Sequence, residues 1–215
     1  MCLSKEAYMY LTHLELDIKN PGARQCLANC HDMHRSLMKG FPQYESESPR
    51  ETAKMLYRVI SNNKGASVFM QSEEKPELSR YVLLSPEVRE TQNIDALYEK
   101  MEIQKIWGFE LLAVPTKKQS REGKTSHRVF LKTEVERTEW LKRQSLSRGF
   151  KILDCYEKKS DHICGKNGTN YIKFDAAVFS GTFEITDEKL FWEKMSEGIG
   201  PEKAYGAGMI MLALR

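Results

Sequence analysis

Residues 133–156, TEVERTEWLKRQSLSRGFKILDCY, contain the clearest structural signal in the chain. Thr133 is followed three residues later by Glu136, a capping-box pair that predicts the start of a helix over Glu134–Ser147. The apolar residues that come next predict a strand over Phe150–Tyr156. A capped helix that leads directly into a strand indicates a mixed α+β domain.

Strands and a second helix flank this pair in the second half of the chain. Before it, the sequence predicts a strand over Ile106–Val114, a basic turn over Pro115–Ser126 and a partner strand over Arg128–Lys132. After it, the sequence predicts a strand over Tyr171–Ile185, a short helix over Asp187–Glu197 and a last strand over Met209–Leu214.

The first half has a related but weaker pattern. Its predicted elements are a strand over Tyr8–Asp17, a helix over Ala23–Lys39, strands over Lys54–Ile60 and Ala66–Gln71, a further short strand over Tyr81–Leu84 and a linker over Ser85–Met101. The two halves together predict an α+β protein with tandem ferredoxin-like (RRM-like) domains and antiparallel sheets. We expect an N-terminal domain over residues 1–98 and a C-terminal domain over residues 99–215.

Composition excludes several classes of protein. Of 215 residues, 40% are hydrophobic and 10% aromatic, which is enough to bury a core and argues against a disordered chain. The longest apolar run, Met209–Leu214, is too short to span a bilayer, and Met1–Tyr10 does not look like a secretory signal. Five irregularly spaced cysteines do not form a disulfide framework, so we expect a protein of the reducing cytoplasm that has no membrane partner.

Charge is distributed unevenly along the chain. The segment from Lys117 to Lys151 contains eleven basic and four acidic residues, a net charge of +7, whereas the whole chain carries only +3. The remainder is therefore acidic, at −4. This polarity is typical of a surface that binds a polyanion, although a solvated charged hairpin and helix would give the same pattern.

The predicted helix at 23–39 carries two histidines on or near its apolar face. His34 lies near the middle of a stripe that includes Leu27 and Leu37, and His31 lies about 60° away at its edge. A histidine in such a stripe is commonly a satisfied core residue. If the helix lines a cleft instead, a partly desolvated imidazole there can act as a general acid or base.

The same helix suggests a rival interpretation, a zinc site. Cys26, Cys30, His31 and His34 are all metal-ligand types. However, tetrahedral zinc sites draw ligands from more than one element, and a single helix cannot surround the ion. We therefore expect no metal site, and we interpret the cysteines as small apolar packing residues.

A glycine-rich stretch over residues 198–208, GIGPEKAYGAG, precedes the last predicted strand. It lacks the third glycine of a dinucleotide fingerprint. It also follows a predicted helix and precedes a strand, whereas that fingerprint follows a strand and opens a helix, so we expect no nucleotide cofactor. Gly200 and Gly206 would let the backbone approach a phosphodiester closely, with Lys203 as its counter-charge. A simple helix-to-strand turn is the competing interpretation.

Six runs of sequence together resemble one family. They are GIGPEKAYGAGMIMLAL at 198–214, FSGTFEITDEKLFWEKMSE at 179–197, FELLAVP at 109–115, HRVFL at 127–131, ERTEWLKR at 136–143 and HDMHRSLMKGFP at 31–42. Taken in their order along the chain, they resemble the repeat-processing endoribonucleases of type I-E CRISPR systems, the CasE family of Cascade. The resemblance touches nearly the whole chain, and its glycine-rich ending is the most specific part.

The resemblance implies a metal-independent enzyme that binds the CRISPR repeat hairpin, cuts the precursor transcript and stays with the other Cascade subunits. His34 falls on the family's catalytic histidine, and His31 replaces a tyrosine that the family carries one turn earlier. Lys173 matches a basic position near the cleaved phosphate. The residues expected to contact RNA are Lys117, Lys118, Arg121, Lys124, Arg128, Lys142, Arg143, Lys166, Gly200, Lys203 and Gly206.

The chemistry expected from the resemblance is attack by the 2′-OH, giving a 2′,3′-cyclic phosphate and a 5′-OH. The replacement of tyrosine by His31 leaves open which group is the acid and which the base. It also leaves a second hypothesis, a subunit that binds the RNA hairpin without cutting it.

Overall fold

The computed structural model describes residues 9–46, 48–61, 65–82, 84, 87–94, 106–121 and 124–213. The chain forms two compact units. The first unit takes most of the N-terminal half together with two later segments, residues 164–172 and 204–206. The predicted domain boundary between residues 98 and 99 falls outside the described residues and stays a prediction.

The first unit contains a four-stranded antiparallel sheet. Its strands are β1 (Tyr10–Leu16), β2 (Leu56–Ser61), β3 (Ala66–Ser72) and β4 (Glu87–Asn93), in the spatial order β2-β3-β1-β4. Leu14 of β1 pairs with Val68 of β3, and both side chains are completely buried. Every neighbouring pair is antiparallel, and the first and third strands occupy the centre, as in a ferredoxin-like sheet.

Strand β4 corrects the predicted linker at Ser85–Met101. Residues 87–93, EVRETQN, pair with β1 as an edge strand, and the register shifts between His13 and Leu14. Their polar composition hid them, because an edge strand needs few apolar side chains. The predicted strand at Tyr81–Leu84 is also wrong: a 3-10 helix occupies Leu78–Arg80, and Tyr81 follows it as a buried core residue rather than a strand residue.

The predicted single helix at 23–39 is two helices. Helix α1 spans Pro21–Ala28 and α2 spans Cys30–Met38, and a short α3 follows at Pro49–Thr52. Between α1 and α2, Asn29 has an extended backbone, with φ −137° and ψ 106°. Its side chain accepts a hydrogen bond from the His31 N–H, which makes Asn29 the N-cap of a new helix.

Both helices pack on one face of this sheet. The buried core of the first unit includes Ala23 and Cys26 from α1, Met33 and Leu37 from α2, and the sheet residues Leu14, Leu16, Val68, Met70 and Tyr57. The apolar sides of α1 and α2 are therefore anchored, which fixes the position of the side chains at the margin of that face.

The second unit repeats the same topology. Its main sheet contains β5 (Ile106–Ala113), β8 (Phe150–Asn167), β9 (Asn170–Ile185) and β10 (Ile210–Ala213), in the order β10-β5-β9-β8. Two helices join these strands, α4 (Glu134–Leu146) and α5 (Glu188–Glu197). The predicted capping box is present at the start of α4, where Thr133 and Glu136 exchange backbone and side-chain hydrogen bonds of 3.2 Å.

The basic segment between β5 and α4 forms a two-stranded ribbon of its own. Strand β6 (Thr116–Arg121) pairs with β7 (Lys124–Phe130), so most of the predicted turn at 115–126 is strand. The predicted pairing of Arg128–Lys132 with Ile106–Val114 is wrong, because β5 already has β9 and β10 on its two sides. We call β6 and β7 the basic ribbon.

Strands β8 and β9 form a hairpin that is longer than predicted. The predicted loop between Tyr156 and Tyr171 is mostly strand, and Gly168 makes the tight turn with a φ of 59°. Its tip, residues 164–172, belongs to the first unit. The hairpin tip thus brings residues from the second half of the sequence to α1 and α2.

Candidate active site

Helix α2 holds the two candidate histidines at the edge of the buried core. Met33 and Leu37 are 2% and 0% exposed and anchor the helix to the sheet. His31 lies in its first turn and His34 one turn later, and both side chains are partly buried. Met33 and Leu37 thus anchor the helix in the core, whereas His31 and His34 lie at the margin of that core.

Each of the two imidazoles has a ring nitrogen that lacks a hydrogen-bond partner in the described residues. In the described part of the chain, the Nδ1 atoms of His31 and His34 are buried and have no hydrogen-bond partner. A core histidine that served only packing would be expected to pair a buried ring nitrogen. This observation favours the cleft interpretation of the helix over the satisfied-core interpretation.

Burial changes the protonation of His34. The pKa of its imidazole is lowered from 6.5 to about 4, first by burial and then by the positive charges of Arg50 and His31. The ring is therefore neutral at pH 7. A neutral imidazole has one unprotonated ring nitrogen, which can accept a proton from a bound hydroxyl group.

Tyr205 completes this cluster from the far end of the sequence. Its ring centroid lies 6.4 Å from that of His34, edge-on at 79°, and 6.5 Å from that of His31, tilted at 59°. Tyr205 ends a 3-10 helix, Lys203–Tyr205, inside the glycine-rich stretch. Three ring side chains therefore meet in the first unit.

The core residue Tyr57 explains how that segment is held. The Tyr57 hydroxyl donates a 3.1 Å hydrogen bond to the Ala204 carbonyl. Gly206 has a φ of 86°, and a Cβ there would lie 3.2 Å from the Tyr57 ring. Gly206 is buried, so its contact with Tyr57 accounts for a glycine at this position without any ligand.

The hairpin tip lies beside the first turn of α2. The backbone N–H groups of His31 and Lys166 both donate to the Asn29 Oδ1 atom, over 3.1 and 3.0 Å. The Lys166 ammonium lies 5.3 Å from the centre of the exposed Tyr171 ring. An exposed cation and an exposed aromatic ring are thus held next to the candidate histidines.

The other predicted site residues lie in the second unit. Lys173 is exposed on β9, and Gly200 and Lys203 are partly buried in the glycine-rich stretch. A Cβ at Gly200, whose φ is 85°, would meet the Trp140 ring at 3.0 Å. Close packing within the protein therefore accounts for Gly200 as it does for Gly206, and the predicted RNA contacts of both stay predictions.

The basic ribbon and α4 carry the remaining predicted RNA contacts. Lys118 lies directly opposite Arg128 in the ribbon, and Arg121 lies opposite Lys124. Like charges that face each other across a strand pair destabilise it unless an anion lies between them. The exposed side chains in this group are Lys117, Lys118, Arg128, Lys142 and Arg143.

Ion pairs reduce the charge that this surface offers. Lys117 pairs with Glu136 at 3.2 Å, and Lys142 pairs with Glu139 at 2.9 Å. Arg137 is 8% exposed and binds both carboxylate oxygens of Glu157, at 2.6 and 3.0 Å. The count of +7 therefore overstates the exposed charge, because Arg137 stabilises the fold instead of facing solvent.

The zinc interpretation gains no support in the described residues, where no cluster of three or more metal-ligand side chains occurs. Cys26 is buried, and its Sγ atom lies 3.3 Å from the Ser36 hydroxyl. Burial raises the pKa of the Cys26 thiol, which disfavours a thiolate ligand.

Within the described ranges, no helix is long and apolar enough to cross a membrane.

Sequence reasoning missed two residues of the candidate site, Tyr205 and Asn29. Tyr205 was hidden because the glycines around it suggested a backbone site, although a lone aromatic residue between glycines is itself a usable signal. Asn29 was hidden because the apolar spacing continues through it. An asparagine followed by a second run of helical periodicity is compatible with an N-cap as well as with a helix interior.

The repeated strand order, two antiparallel sheets with helices on them, defines a tandem ferredoxin-like protein. A sequence model of the family described as CRISPR associated protein matches residues 9–213, and the chain belongs to this family. The resemblance predicted from the sequence is confirmed.

A named relative, and a solved structure that carries the same protein name, are similar along nearly the whole chain. The CRISPR-associated endoribonuclease Cse3 of Thermus thermophilus is 27% identical over 219 residues, which cover 95% of this chain and 100% of the relative. A structure of Thermus thermophilus Cse3, bound to an RNA that represents a pre-cleavage complex, has a TM-score of 0.82 at 26% identity. That alignment covers 96% of this chain and 100% of the other.

A third similarity concerns the fold alone. The CRISPR-associated protein Cas6e from Escherichia coli K-12 has a TM-score of 0.70 at 21% identity, covering 95% of this chain and 98% of that protein. The predicted fold class, tandem ferredoxin-like with antiparallel sheets, is confirmed by these similarities together with the strand order.

Proposed function

We propose that this protein is an endoribonuclease that binds the CRISPR repeat hairpin and cuts the precursor transcript beside it. The observation that carries the proposal is the pair of partly buried histidines on α2, whose Nδ1 atoms have no partner in the described residues. The relative of Thermus thermophilus, similar over its full length, is named an endoribonuclease. Site chemistry and similarity therefore favour the same activity.

The proposed reaction is an intramolecular transfer on the RNA. The 2′-oxygen beside the scissile phosphate attacks phosphorus, the bond from phosphorus to the 5′-oxygen breaks, and the products are a 2′,3′-cyclic phosphate and a 5′-OH. The nucleophile is already attached to the substrate, so the enzyme has to align it with the leaving group and move two protons.

His34 is the proposed base. Its pKa is lowered to about 4, so at pH 7 it is neutral and can accept the proton of the 2′-OH. His31, when protonated, donates the proton that the leaving 5′-oxygen requires. The Tyr205 ring lies beside both imidazoles, with its centroid 6.5 Å from that of His31 and 6.4 Å from that of His34.

Cations are needed where negative charge develops on the phosphate. Lys166 is the proposed group beside His31, because the Asn29 amide oxygen holds the backbones of both residues. Lys173 keeps the phosphate-neutralising role that the family resemblance implies. Both lysines are exposed and so are accessible to a phosphodiester.

The basic ribbon is the proposed surface for the RNA stem. A-form RNA offers phosphates and ribose hydroxyls more readily than base edges, so paired cations such as Lys118 and Arg128 suit it. We propose that the protein keeps the mature guide RNA and remains in Cascade in the cytoplasm. The free thiols of Cys26, Cys155 and Cys164 fit that reducing compartment.

The test of the activity is cleavage of the cognate repeat RNA in excess EDTA, with a second substrate that has a single 2′-deoxy nucleotide at the cut site. We expect cutting of the first RNA, a 2′,3′-cyclic end, and no cutting of the second. A requirement for added metal, or cleavage of the 2′-deoxy RNA, would contradict the proposed chemistry. Tight hairpin binding with no cleavage at all would favour the alternative, a non-catalytic subunit.

The test of the RNA surface is the salt dependence of hairpin binding. Removing one phosphate contact in Lys118→Ala or Arg128→Ala should weaken binding and lower the slope of log K against log salt by roughly 0.7 to 0.9. Lys194→Ala is the matched control, since Lys194 pairs with Glu193 and Glu197 on α5. Equal slopes for all three variants and the wild type would exclude the ribbon as the stem-binding surface.

A further inference from the structure

We propose that Asn29 is a positioning residue that holds the hairpin tip against the first turn of α2 and thereby sets Lys166 relative to His31. The proposal rests on the endoribonuclease activity proposed above. It assigns the break between α1 and α2 a role in the reaction, in addition to its role in ending one helix and starting the next.

The Asn29 side chain uses its whole hydrogen-bonding capacity. Its Oδ1 atom accepts from the backbone N–H groups of His31 and Lys166, at 3.1 and 3.0 Å. Its Nδ2 group donates to the Asp32 carboxylate at 3.0 Å and to the Lys166 carbonyl at 3.2 Å. Two donors and two acceptor sites are all that a carboxamide has.

Two of these bonds engage both backbone groups of the same residue. The amide of Asn29 pairs with Lys166 as one strand residue pairs with another, so the hairpin tip is held by its main chain. The Lys166 side chain remains exposed and lies over the Tyr171 ring. Asn29 therefore fixes the position of the Lys166 backbone and leaves the Lys166 ammonium group unused.

Gly165 supplies a second, independent observation. A Cβ at this position would lie 2.5 Å from the Asn29 Oδ1 atom, 2.7 Å from the Cys30 Sγ atom and 3.1 Å from the Cys30 nitrogen. A side chain there would have to displace the Asn29 amide and the Cys30 thiol or move the hairpin tip away from α2. The close approach of the two segments thus depends on a glycine directly before the residue that Asn29 binds.

A helix cap alone does not need this arrangement. Asn20 caps α1 with a single side-chain bond, accepting from the Ala23 N–H at 3.0 Å. Asn29 makes the corresponding bond to His31 and three more, two of them to a segment 137 residues away. The extra bonds connect the helix that carries the histidines to the hairpin that carries the cation.

The chain therefore offers a matched pair of variants. Asn29→Asp keeps an acceptor for the helix cap and for the Lys166 N–H, but it loses both donors and places a carboxylate beside the Lys166 carbonyl. Asn20→Asp makes the same chemical change at a cap that touches no hairpin. Gly165→Ala places a methyl group against the Asn29 amide oxygen and so disturbs the same contact without changing either asparagine.

The decisive measurement is the single-turnover cleavage rate at saturating repeat RNA, in a double-mutant cycle with Lys166→Ala. We expect Asn29→Asp and Gly165→Ala each to slow cleavage by about tenfold or more, because small displacements of reacting groups are costly. Asn20→Asp should stay within about twofold of the wild type. The combined Asn29→Asp and Lys166→Ala variant should be no slower than Lys166→Ala alone, since both changes remove one positioned cation.

Additive losses in this cycle, or equal effects of Asn29→Asp and Asn20→Asp, would overturn the positioning role. If the wild-type protein binds the RNA but does not cut it, the proposed function fails and the clamp is tested separately. Hydrogen exchange at the Lys166 amide should then be faster in Gly165→Ala than in the wild type, because the bond to Asn29 is lost. Unchanged exchange would show that Asn29 does not hold the hairpin tip.

Discussion

The helix that follows the first strand is built differently in the two units. In the second unit it is α4, an uninterrupted helix of 13 residues with a complete capping box. In the first unit the same topological position holds α1 and α2, of 8 and 9 residues, separated by the extended Asn29. One sheet order therefore supports both a regular helix and an interrupted one.

The two helices also use their polar residues differently. In α4 the buried Arg137 makes four hydrogen bonds, two to the Glu157 carboxylate and two to the carbonyls of Leu131 and Lys132. In α2 the partly buried His31 and His34 keep ring nitrogens without partners in the described residues. Paired groups stabilise a fold, whereas a buried polar group without a partner costs stability and is kept where the site has another role. This difference separates a structural helix from a candidate catalytic one.

The largest effect expected from this comparison is at His34. Replacing it in His34→Ala should lower the single-turnover cleavage rate by about a hundredfold to ten-thousandfold, because a general base is lost. Binding of the uncleaved hairpin should change much less. His13→Gln is the control, since His13 lies on β1 and pairs with Glu15. A cleavage rate within twofold of the wild type would remove His34 from the mechanism.

The next largest effect is expected on stability, at the ion pair between Arg137 of α4 and Glu157 of β8. Glu157→Ala leaves the buried Arg137 guanidinium without its carboxylate, which should lower the free energy of unfolding by about 3 kcal/mol or more. Chemical denaturation measures this change. The surface pair is the control, and Glu139→Ala should cost much less because Lys142 and Glu139 are both exposed. Equal costs would contradict the structural role of Arg137.

A pH effect should be specific to α2. Folding lowers the pKa of His34 from 6.5 to about 4, so between these values the unfolded chain binds more protons than the folded one. The free energy of unfolding should therefore fall as the pH drops from 6.5 towards 4, by up to about 3 kcal/mol. Denaturation of the wild type and His34→Asn at several pH values measures this. An identical pH slope for the two proteins would mean that His34 is not desolvated.

The smallest effect is expected at the start of α4. Thr133→Ala removes the side-chain cap and should lower the free energy of unfolding by about 1 kcal/mol. Cleavage at saturating RNA should stay within twofold, since the bonds given for the Thr133 side chain go to Glu136 of the same helix. If Thr133→Ala lowered the cleavage rate as much as Asn29→Asp does, the distinction between a structural α4 and a catalytic α2 would be contradicted.

Local patterns predicted the regular elements well. The pair Thr133 and Glu136 indicated α4, and the strand predicted over Tyr8–Asp17 is found as β1, whose Leu14 and Leu16 are buried. The strand at residues 87–93 was missed because its polar residues are stabilised by pairing with β1, a tertiary interaction that composition does not record.

The candidate site was only partly predictable for a similar reason. His31 and His34 are close in sequence, so helical spacing was sufficient to select them. Tyr205 and Lys166 reach them across more than a hundred residues, through contacts of Tyr57 and Asn29 that no local pattern encodes. The break at Asn29 was hidden because apolar spacing continues across it, while its cause is a set of tertiary hydrogen bonds.

The most direct test of the account is a structure of the protein bound to its repeat RNA with one 2′-deoxy nucleotide at the cut site. The account predicts that the scissile phosphate lies beside α2, with a ring nitrogen of His34 within hydrogen-bond distance of the position of the missing 2′-oxygen and His31 nearer the 5′-oxygen. A scissile phosphate seated away from both histidines would contradict it.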